Sequence, residues 1–380
     1  MTEQSAMHII IGAPVTGNDF YPRNQVVDKV KKALQNEHVL FLAPRRTGKT
    51  SVLLRLQQVA PAQAIVLDLE GFDHPGLWIK AMACKLGEIT DPAWLHRLKQ
   101  KGEFVHRFKS EYMEITEANW EEKADKLLQD LHGLDEAVWF LLDEFPIMID
   151  KIAKRHGAAD ASAVLHWLRR SRQENVGSPV RFLLTGSIGL DSVLRRHNIR
   201  GPANDLRRET LTPLGADEAL ELALKLAHDN SIPLNEALAR EYIDRLGPAI
   251  WPYFIQLFVA ELQDHDPDPN HPADLEAIYR SVTHGNHNRN QYSDNMWERL
   301  QDIFNPAEAA TARALLKTLA AQDSGVELEQ LRTLSPLEDS DFFYVLDVLQ
   351  HDGYLIEDDG GRLRFFSHLL RDYWRRRGRV

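Results

Sequence analysis

The stretch Val39-Leu40-Phe41-Leu42-Ala43-Pro44-Arg45-Arg46-Thr47-Gly48-Lys49-Thr50-Ser51 sets an apolar strand, a short basic loop and Gly-Lys-Thr before a helix expected to begin Ser51-Val52-Leu53-Leu54. That order suits a nucleoside triphosphate. Gly48 lets the backbone curl so that successive N–H groups face phosphate oxygens, and the helix N-terminus adds partial positive charge. Lys49 is placed to reach the β and γ phosphates, and the Thr50 hydroxyl to hold Mg²⁺. The candidate nucleotide-binding residues are Ala43, Pro44, Arg45, Arg46, Thr47, Gly48, Lys49, Thr50 and Ser51. Ala43 stands where G-x-x-x-x-G-K-[ST] usually opens on glycine, and its methyl group narrows the backbone freedom at the strand end. The competing reading is a chance Gly-Lys-Thr in a surface loop. A strand before it and a helix after it favour the phosphate loop.

A second signal lies downstream in Val138-Trp139-Phe140-Leu141-Leu142-Asp143-Glu144-Phe145-Pro146. An apolar strand delivers two acids to its carboxyl end, the edge where α/β sheets place ligands. Asp143 is read as holding Mg²⁺ in its outer shell. Glu144 is read as orienting or deprotonating the attacking water. Two acids in this position also serve to cap a following helix, which is the plainer reading; the phosphate loop upstream favours hydrolysis. Arg181-Phe182-Leu183-Leu184-Thr185-Gly186-Ser187 ends another strand in polar residues. Beside the Asp143 strand, Thr185 or Ser187 is placed to bond the γ-phosphate or the lytic water, or is simply a turn.

Around these motifs, Val39 to Leu214 alternates short apolar runs with longer amphipathic ones, predicting a parallel sheet with helices on both faces. Val39–Ala43, Ala64–Leu69, Val138–Leu142 and Val180–Thr185 read as strands buried on both faces, and Glu209–Leu214 as a weaker fifth. Residues 91–136 read as bridging helices. After Gly215 the pattern is helical: Ala216–His228, Asn235–Arg245, Tyr253–Leu262, Leu275–Val282 and Asn295–Phe304, broken by a Pro-rich loop at 264–272. Then Ala307–Ala321, Leu328–Leu334 and Ser340–Gln350 precede two short β runs, Tyr354–Glu357 and Arg362–Phe366, about an Asp/Gly turn. Three helices and a hairpin make the order of a winged helix-turn-helix. The expected division is an α/β P-loop core over 1–214, a helical lid over 215–304 and a winged-helix domain over 305–380.

Composition narrows the classes. A length of 380 residues fits two or three domains, with 43% hydrophobic and 27% charged residues. A net charge of −11 argues against a whole-surface nucleic-acid binder. Cys84 is the single cysteine, so no intrachain disulfide forms and a reducing compartment fits; its place in a helical run predicts a buried thiol. No basic leader with an apolar stretch opens the chain, and no window approaches the ~18 apolar residues of a membrane span. A cytoplasmic location is the simplest expectation.

The C-terminal charges bear on partners. Glu338, Asp339, Asp341, Asp347 and Asp352 surround the third helical segment, with no Lys or Arg between Arg332 and Arg362. An acidic helix suits a DNA groove poorly, because phosphate contacts dominate DNA affinity. Arg362, Arg364, Arg371, Arg375, Arg376, Arg377 and Arg379 offer a backbone grip by wing and tail, or a contact with an acidic protein surface. His265, His271, His284 and His287 lie close in sequence without Cys/His metal spacing, and read as solvated rather than as ligands. Trp251, Tyr253 and Phe254 read as core packing.

Taken together these motifs resemble the archaeal-type ATPases of the STAND class, within the AAA+-like P-loop NTPases. The likeness rests on Pro44-Arg45-Arg46 leading into Gly48-Lys49-Thr50-Ser51, on Asp143-Glu144-Phe145-Pro146, and on Thr185-Gly186-Ser187. Looser matches are Phe20-Tyr21-Pro22-Arg23-Asn24-Gln25, Gly247 through Pro252-Tyr253-Phe254-Ile255-Gln256, and the stretch from Phe365 to Tyr373. The resemblance implies that Tyr21 and Arg23 lie near the adenine, that Pro252 in the lid senses the nucleotide, and that ATP is hydrolysed slowly by a conformational switch. The family usually has glycine where Pro22 stands. Arg207 is the leading candidate for a trans-acting or lid arginine that stabilises charge on a γ-phosphate, with Arg208 beside it and Arg195 and Arg196 behind; the alternative for each is an ordinary surface pair. The expected function is an ATP- and Mg²⁺-dependent switch that works through a protein partner or self-association. The alternative is an ATP-regulated, initiator-like DNA-binding protein.

Overall fold

The computed structural model describes residues 6–21, 23–60, 63–89, 114–116, 119–132, 137–174, 177–187, 189–199, 203–265, 274–283 and 291–377. They divide into two compact units. One comprises Arg23–Ala43 and Val52–Leu211; the other comprises Met1–Pro22, Pro44–Ser51 and Thr212–Val380.

The first unit is built on a five-stranded parallel sheet. Along the chain come α1 (Asn24–Leu34), β1 (Val39–Leu42), α2 (Lys49–Val59, whose start through Ser51 counts with the other unit), β2 (Gln63–Asp68), α3 (Pro75–Gly87), α4 (Trp120–His132), β3 (Val138–Asp143), α5 (Phe145–His156), α6 (Ala158–Glu174), β4 (Val180–Gly186), α7 (Leu190–Arg196) and β5 (Arg207–Thr210). The strand order is β2-β3-β4-β1-β5, every pairing parallel. All six residues of β3 are buried, which is why that run lacks alternation: helices cover both faces. Behind the sheet Trp78 and Trp120 meet the Trp167 ring edge-on, at 5.7 and 6.1 Å between centroids, and the Trp167 indole N–H donates to Asp125 at 2.7 Å. Each such side chain contributes roughly 1.5–3 kcal/mol by leaving water.

The first four strands stand where the apolar runs placed them, to within a residue at each end. The fifth is Arg207–Thr210 rather than Glu209–Leu214; Pro213 has no N–H for a ladder, and Leu214 forms an isolated antiparallel bridge with Ile250 instead. Of the bridging region at 91–136, α4 is described, and most of the remainder lies outside the described residues. Cys84 is exposed, contrary to the expected buried thiol. The inward stripe of α3 is Trp78, Ile79, Met82, Ala83 and Leu86, and position 84 falls off it.

The second unit is helical before a small sheet. Its elements are α8 (Ala216–Asp229), α9 (Glu236–Leu246), α10 (Pro252–Asp264), α11 (Leu275–Thr283), α12 (Gln291–Ile303), α13 (Pro306–Ala320), β6 (Val326–Glu327), α14 (Leu328–Thr333), α15 (Asp339–His351), β7 (Leu355–Glu357), β8 (Arg362–Phe365) and α16 (His368–Arg377). The start of α13 shows sequence acting locally. Asn305 accepts from the Ala307 and Glu308 amides, Glu308 returns a carboxylate to the Asn305 N–H at 2.9 Å, and Pro306 follows the cap. Two features exceed the expected hairpin: β6 joins it in an antiparallel sheet ordered β6-β8-β7, and the arginine-rich tail folds as α16. Trp251 stacks on Phe366 at 5.7 Å, consistent with core packing. Among the described residues no helix is long and apolar enough to cross a membrane.

Candidate functional site

Because the sheet is parallel, β2, β3, β4 and β1 end on one edge. Asp143 closes β3 and is 4% exposed. One of its oxygens accepts the Thr185 hydroxyl from β4 and the Glu144 amide, the latter at 3.0 Å. Glu144 then turns in the left-handed region, φ +53° and ψ +33°, directly before α5. A glutamate rarely adopts that conformation, and such strain gathers at functional sites. Its Oε2 accepts both the amide and the hydroxyl of Ser187, each at 3.0 Å. Thr185 and Ser187 thus hold the two acids rather than stand as an idle turn.

The register adds an acid that the motif reading missed. Asp68, the last residue of β2, lies opposite Asp143. Desolvation raises its pKa and the charges of Asp143 and Glu144 push the same way, against a bond from the Glu70 amide that lowers it. Its signal was available, since Asp68 ends an apolar run as Asp143 does. The acid-bearing strand and the strand that leads into the phosphate loop are not neighbours, because β4 lies between β3 and β1. The Ala43 amide, at the end of β1, donates to the Gly186 carbonyl at 3.3 Å.

Arg207 stands away from these acids. It pairs in register with Val39, at the amino end of β1, so the topology sets it at the sheet edge opposite Asp143. Its guanidinium bonds Glu37 at 2.7 Å and Glu209 at 2.9 Å, which raise its pKa. A role on this chain's own γ-phosphate does not suit that position. Arg208 makes a two-pronged pair with Asp191.

The phosphate loop has its own local logic. The helix begins at Lys49, two residues before the expected Ser51, so the Gly-Lys-Thr amides enter its first turn. Gly48 has φ +94°, a conformation that a side chain strains. Arg46 also has positive φ, at +60°, and its guanidinium lies 5.1 Å from the centre of the Tyr253 ring at the start of α10. The Thr47 hydroxyl closes the loop on the Pro44 carbonyl at 2.8 Å. Lys49 is 5% exposed. Pro44 abuts Gly353 after α15, where an added Cβ would meet the Pro44 Cβ at 2.7 Å.

An N-terminal strap, unforeseen in the sequence, reaches the same loop. Met7 is buried, donating its amide to Asp229 and accepting from Asn230, each at 2.9 Å. Further along, the Ile10 amide donates to Gln256 at 3.0 Å and the Val15 amide to the Ser51 hydroxyl at 3.0 Å. The Tyr21 hydroxyl donates to Glu221 at 3.2 Å, Arg23 precedes α1, and Pro252 opens α10. Pro22 lies outside the described residues.

The donor set fits a magnesium triphosphate. Gly48 leaves open space where a side chain would stand, and an amine and a hydroxyl begin the helix. Thr50 and Asp143 supply hard oxygens of the kind Mg²⁺ prefers. Lys49 in one unit and Asp143 in the other are both buried, and Glu144 is held by Ser187.

The fold has solved counterparts. A Walker-type ATPase of Pyrococcus abyssi is 14% identical, with a TM-score of 0.70, over 97% of this chain and 99% of that one. The ORC2 protein of Aeropyrum pernix in its ADPNP–ADP complexes is 11% identical, with a TM-score of 0.55, over 98% of each chain. This chain has the fold of a P-loop NTPase core followed by a helical C-terminal region. No family model and no curated protein sequence matches it.

The tail of this P-loop fold is more occupied than its composition suggested. Arg371 and Arg375 pair with Asp323 at 2.9 and 2.6 Å, Arg377 pairs with Asp294 at 3.0 Å, and Arg362 pairs with Glu327 at 3.2 Å. Local carboxylates therefore meet cations that a DNA backbone would need; Arg379 lies outside the described residues. His265 is close to the Glu261 carbonyl, its Nδ1 at 2.8 Å. The other three histidines of that group, His271, His284 and His287, lie outside the described residues. Among the described residues no group of three His, Cys, Asp or Glu side chains forms a metal site.

Proposed function

We propose that the protein binds ATP with Mg²⁺ and hydrolyses it slowly as a molecular switch of the STAND type within the AAA+-like ATPases. The observation that carries this reading is the pairing of Asp143 and Glu144 with Thr185 and Ser187 in a chain that also bears a helix-opening Gly-Lys-Thr. Lys49 and the amides from Thr47 to Thr50 bind the β and γ phosphates. Thr50 and Asp143 hold Mg²⁺, Asp143 from its outer shell and aligned by Thr185. Bound there, the ion neutralises charge on the phosphoryl oxygens. Glu144, steadied by Ser187, orients the attacking water and takes its proton. Tyr21, Arg23 and Pro252 contribute to the base and lid contacts, and an arginine that completes the site comes from a neighbouring molecule.

In this proposal residues 1–214 are the core, 215–304 the lid and 305–380 a winged helix whose position follows the nucleotide. Arg46 against Tyr253 and Pro44 against Gly353 support that coupling, since the phosphate loop touches both of the latter regions. The output is protein interaction or assembly in the cytoplasm, consistent with the single cysteine. A DNA-regulator reading draws less support, because the tail arginines are engaged within the chain. Comparing wild type with Glu144→Gln tests the proposal. Phosphate release falls about 100-fold or more while ATP binding persists; equal release by both proteins would refute it.

A further inference from the structure

We propose that the helix-turn-helix of α14 and α15 docks a basic amphipathic helix of a partner protein. This rests on the protein-interaction half of the reading above. Its test uses no nucleotide, so its failure would leave the nucleotide assignment untouched.

Three large apolar side chains are exposed on this short stretch: Leu328 at 36%, Leu334 at 50% and Phe343 at 42%. Phe342, beside Phe343, is fully buried, so α15 turns one phenylalanine into the core and its neighbour to water. Exposed apolar groups of this size favour a partner that covers them, because covering recovers their hydration cost. The turn is braced. The Arg332 guanidinium donates to Asp339 at 2.7 Å and to the Ser335 carbonyl at 3.2 Å, and lies 5.2 Å from the centre of the Phe342 ring. A surface held this way loses little entropy on binding.

Charge selects the occupant. Between Lys317 and Arg362 the chain carries eleven carboxylates and one arginine, and that arginine is paired with Asp339. Glu329, Glu338 and Asp341 are exposed around the apolar residues. Nucleic-acid phosphates are repelled by such a rim. The tail of a second copy offers little complement, since Arg371, Arg375 and Arg377 already meet carboxylates. A helix with a leucine-rich stripe flanked by Lys or Arg satisfies both the apolar residues and the rim.

The probe is a fluorescent Leu/Lys peptide of about 18 residues, some five turns of amphipathic helix, added to the full-length protein at physiological salt. A scrambled peptide of the same composition, with no leucine stripe, is the control. Wild type is expected to bind the amphipathic peptide at least tenfold more tightly than the scrambled one. Leu334→Ser with Phe343→Ser, and separately Glu338→Lys with Asp341→Lys, each weaken it at least tenfold with unfolding unchanged. Equal binding of both peptides, or full binding by the double-serine variant, would overturn the proposal. So would a mixed-sequence DNA duplex that binds wild type but not the double-serine variant, or self-association that the same variant abolishes.

Discussion

Replacing Gly353 with alanine should disturb a phosphate loop some three hundred residues away in sequence. Gly353 has φ +85°, and an added Cβ would lie 2.7 Å from the Pro44 Cβ and 3.4 Å from its Cγ. Carbon atoms pack comfortably at about 3.5–4.0 Å, so Pro44 or the turn after α15 must move by roughly 1 Å. A left-handed alanine costs about 1–2 kcal/mol and overpacking a further 1–3 kcal/mol or so, giving about 3 kcal/mol in all. Gly361→Ala isolates the first part: φ is +73°, yet the nearest atom an added Cβ would meet is a Glu357 oxygen at 3.7 Å. Urea unfolding should show Gly361→Ala losing about 1–2 kcal/mol and Gly353→Ala clearly more. A fluorescent ATP analogue should bind more weakly to Gly353→Ala and normally to Gly361→Ala. Equal stability losses together with unchanged analogue binding in both would refute the coupling.

Two further outcomes follow from single contacts. His38 accepts the Phe182 amide at 3.0 Å, and burial, with Arg172 and Arg181 nearby, lowers its pKa from 6.5 to about 3. It is neutral when folded and protonates readily when unfolded, so its contribution is complete above pH 6.5 and is lost as pH falls toward 3. The loss between pH 7 and pH 5 is about 2 kcal/mol, and His38→Asn, which keeps an acceptor and removes the titration, should lack it; identical pH profiles in urea unfolding would contradict this. Ser187→Ala removes one of two bonds to Glu144 and should lower kcat about five- to tenfold with nucleotide affinity within about twofold, an effect absent if Ser187 is only a turn residue.

Much of the architecture was legible because burial on both faces leaves an uninterrupted apolar run. Val138–Leu142 announces a central strand, and the acids after it announce a functional edge. Strand order was not legible: β4 separates β1 from β3, and nothing local in Val180–Thr185 says where it inserts. The site was readable where spacing along the chain carries the chemistry, as in Gly48-Lys49-Thr50. It was hidden where partners are remote in sequence. Ser187 meets Glu144 across two strands, Arg46 meets Tyr253 far along the chain, and the Met7–Val15 strap has no periodicity to betray it. Arg207 shows the opposite hazard: an arginine beside a strand says nothing of which end it occupies. The tail arginines misled similarly, because Asp294 and Asp323, which meet them, lie some fifty to eighty positions earlier.

Whether Lys49 grips a nucleotide is read by titrating Mg²⁺-ATP into wild type and Lys49→Ala in a calorimeter. A buried ammonium that bonds phosphate is worth a charge-assisted hydrogen bond, so the variant should bind about ten- to a hundredfold more weakly, or without detectable heat. Equal affinity in the two proteins would contradict the account.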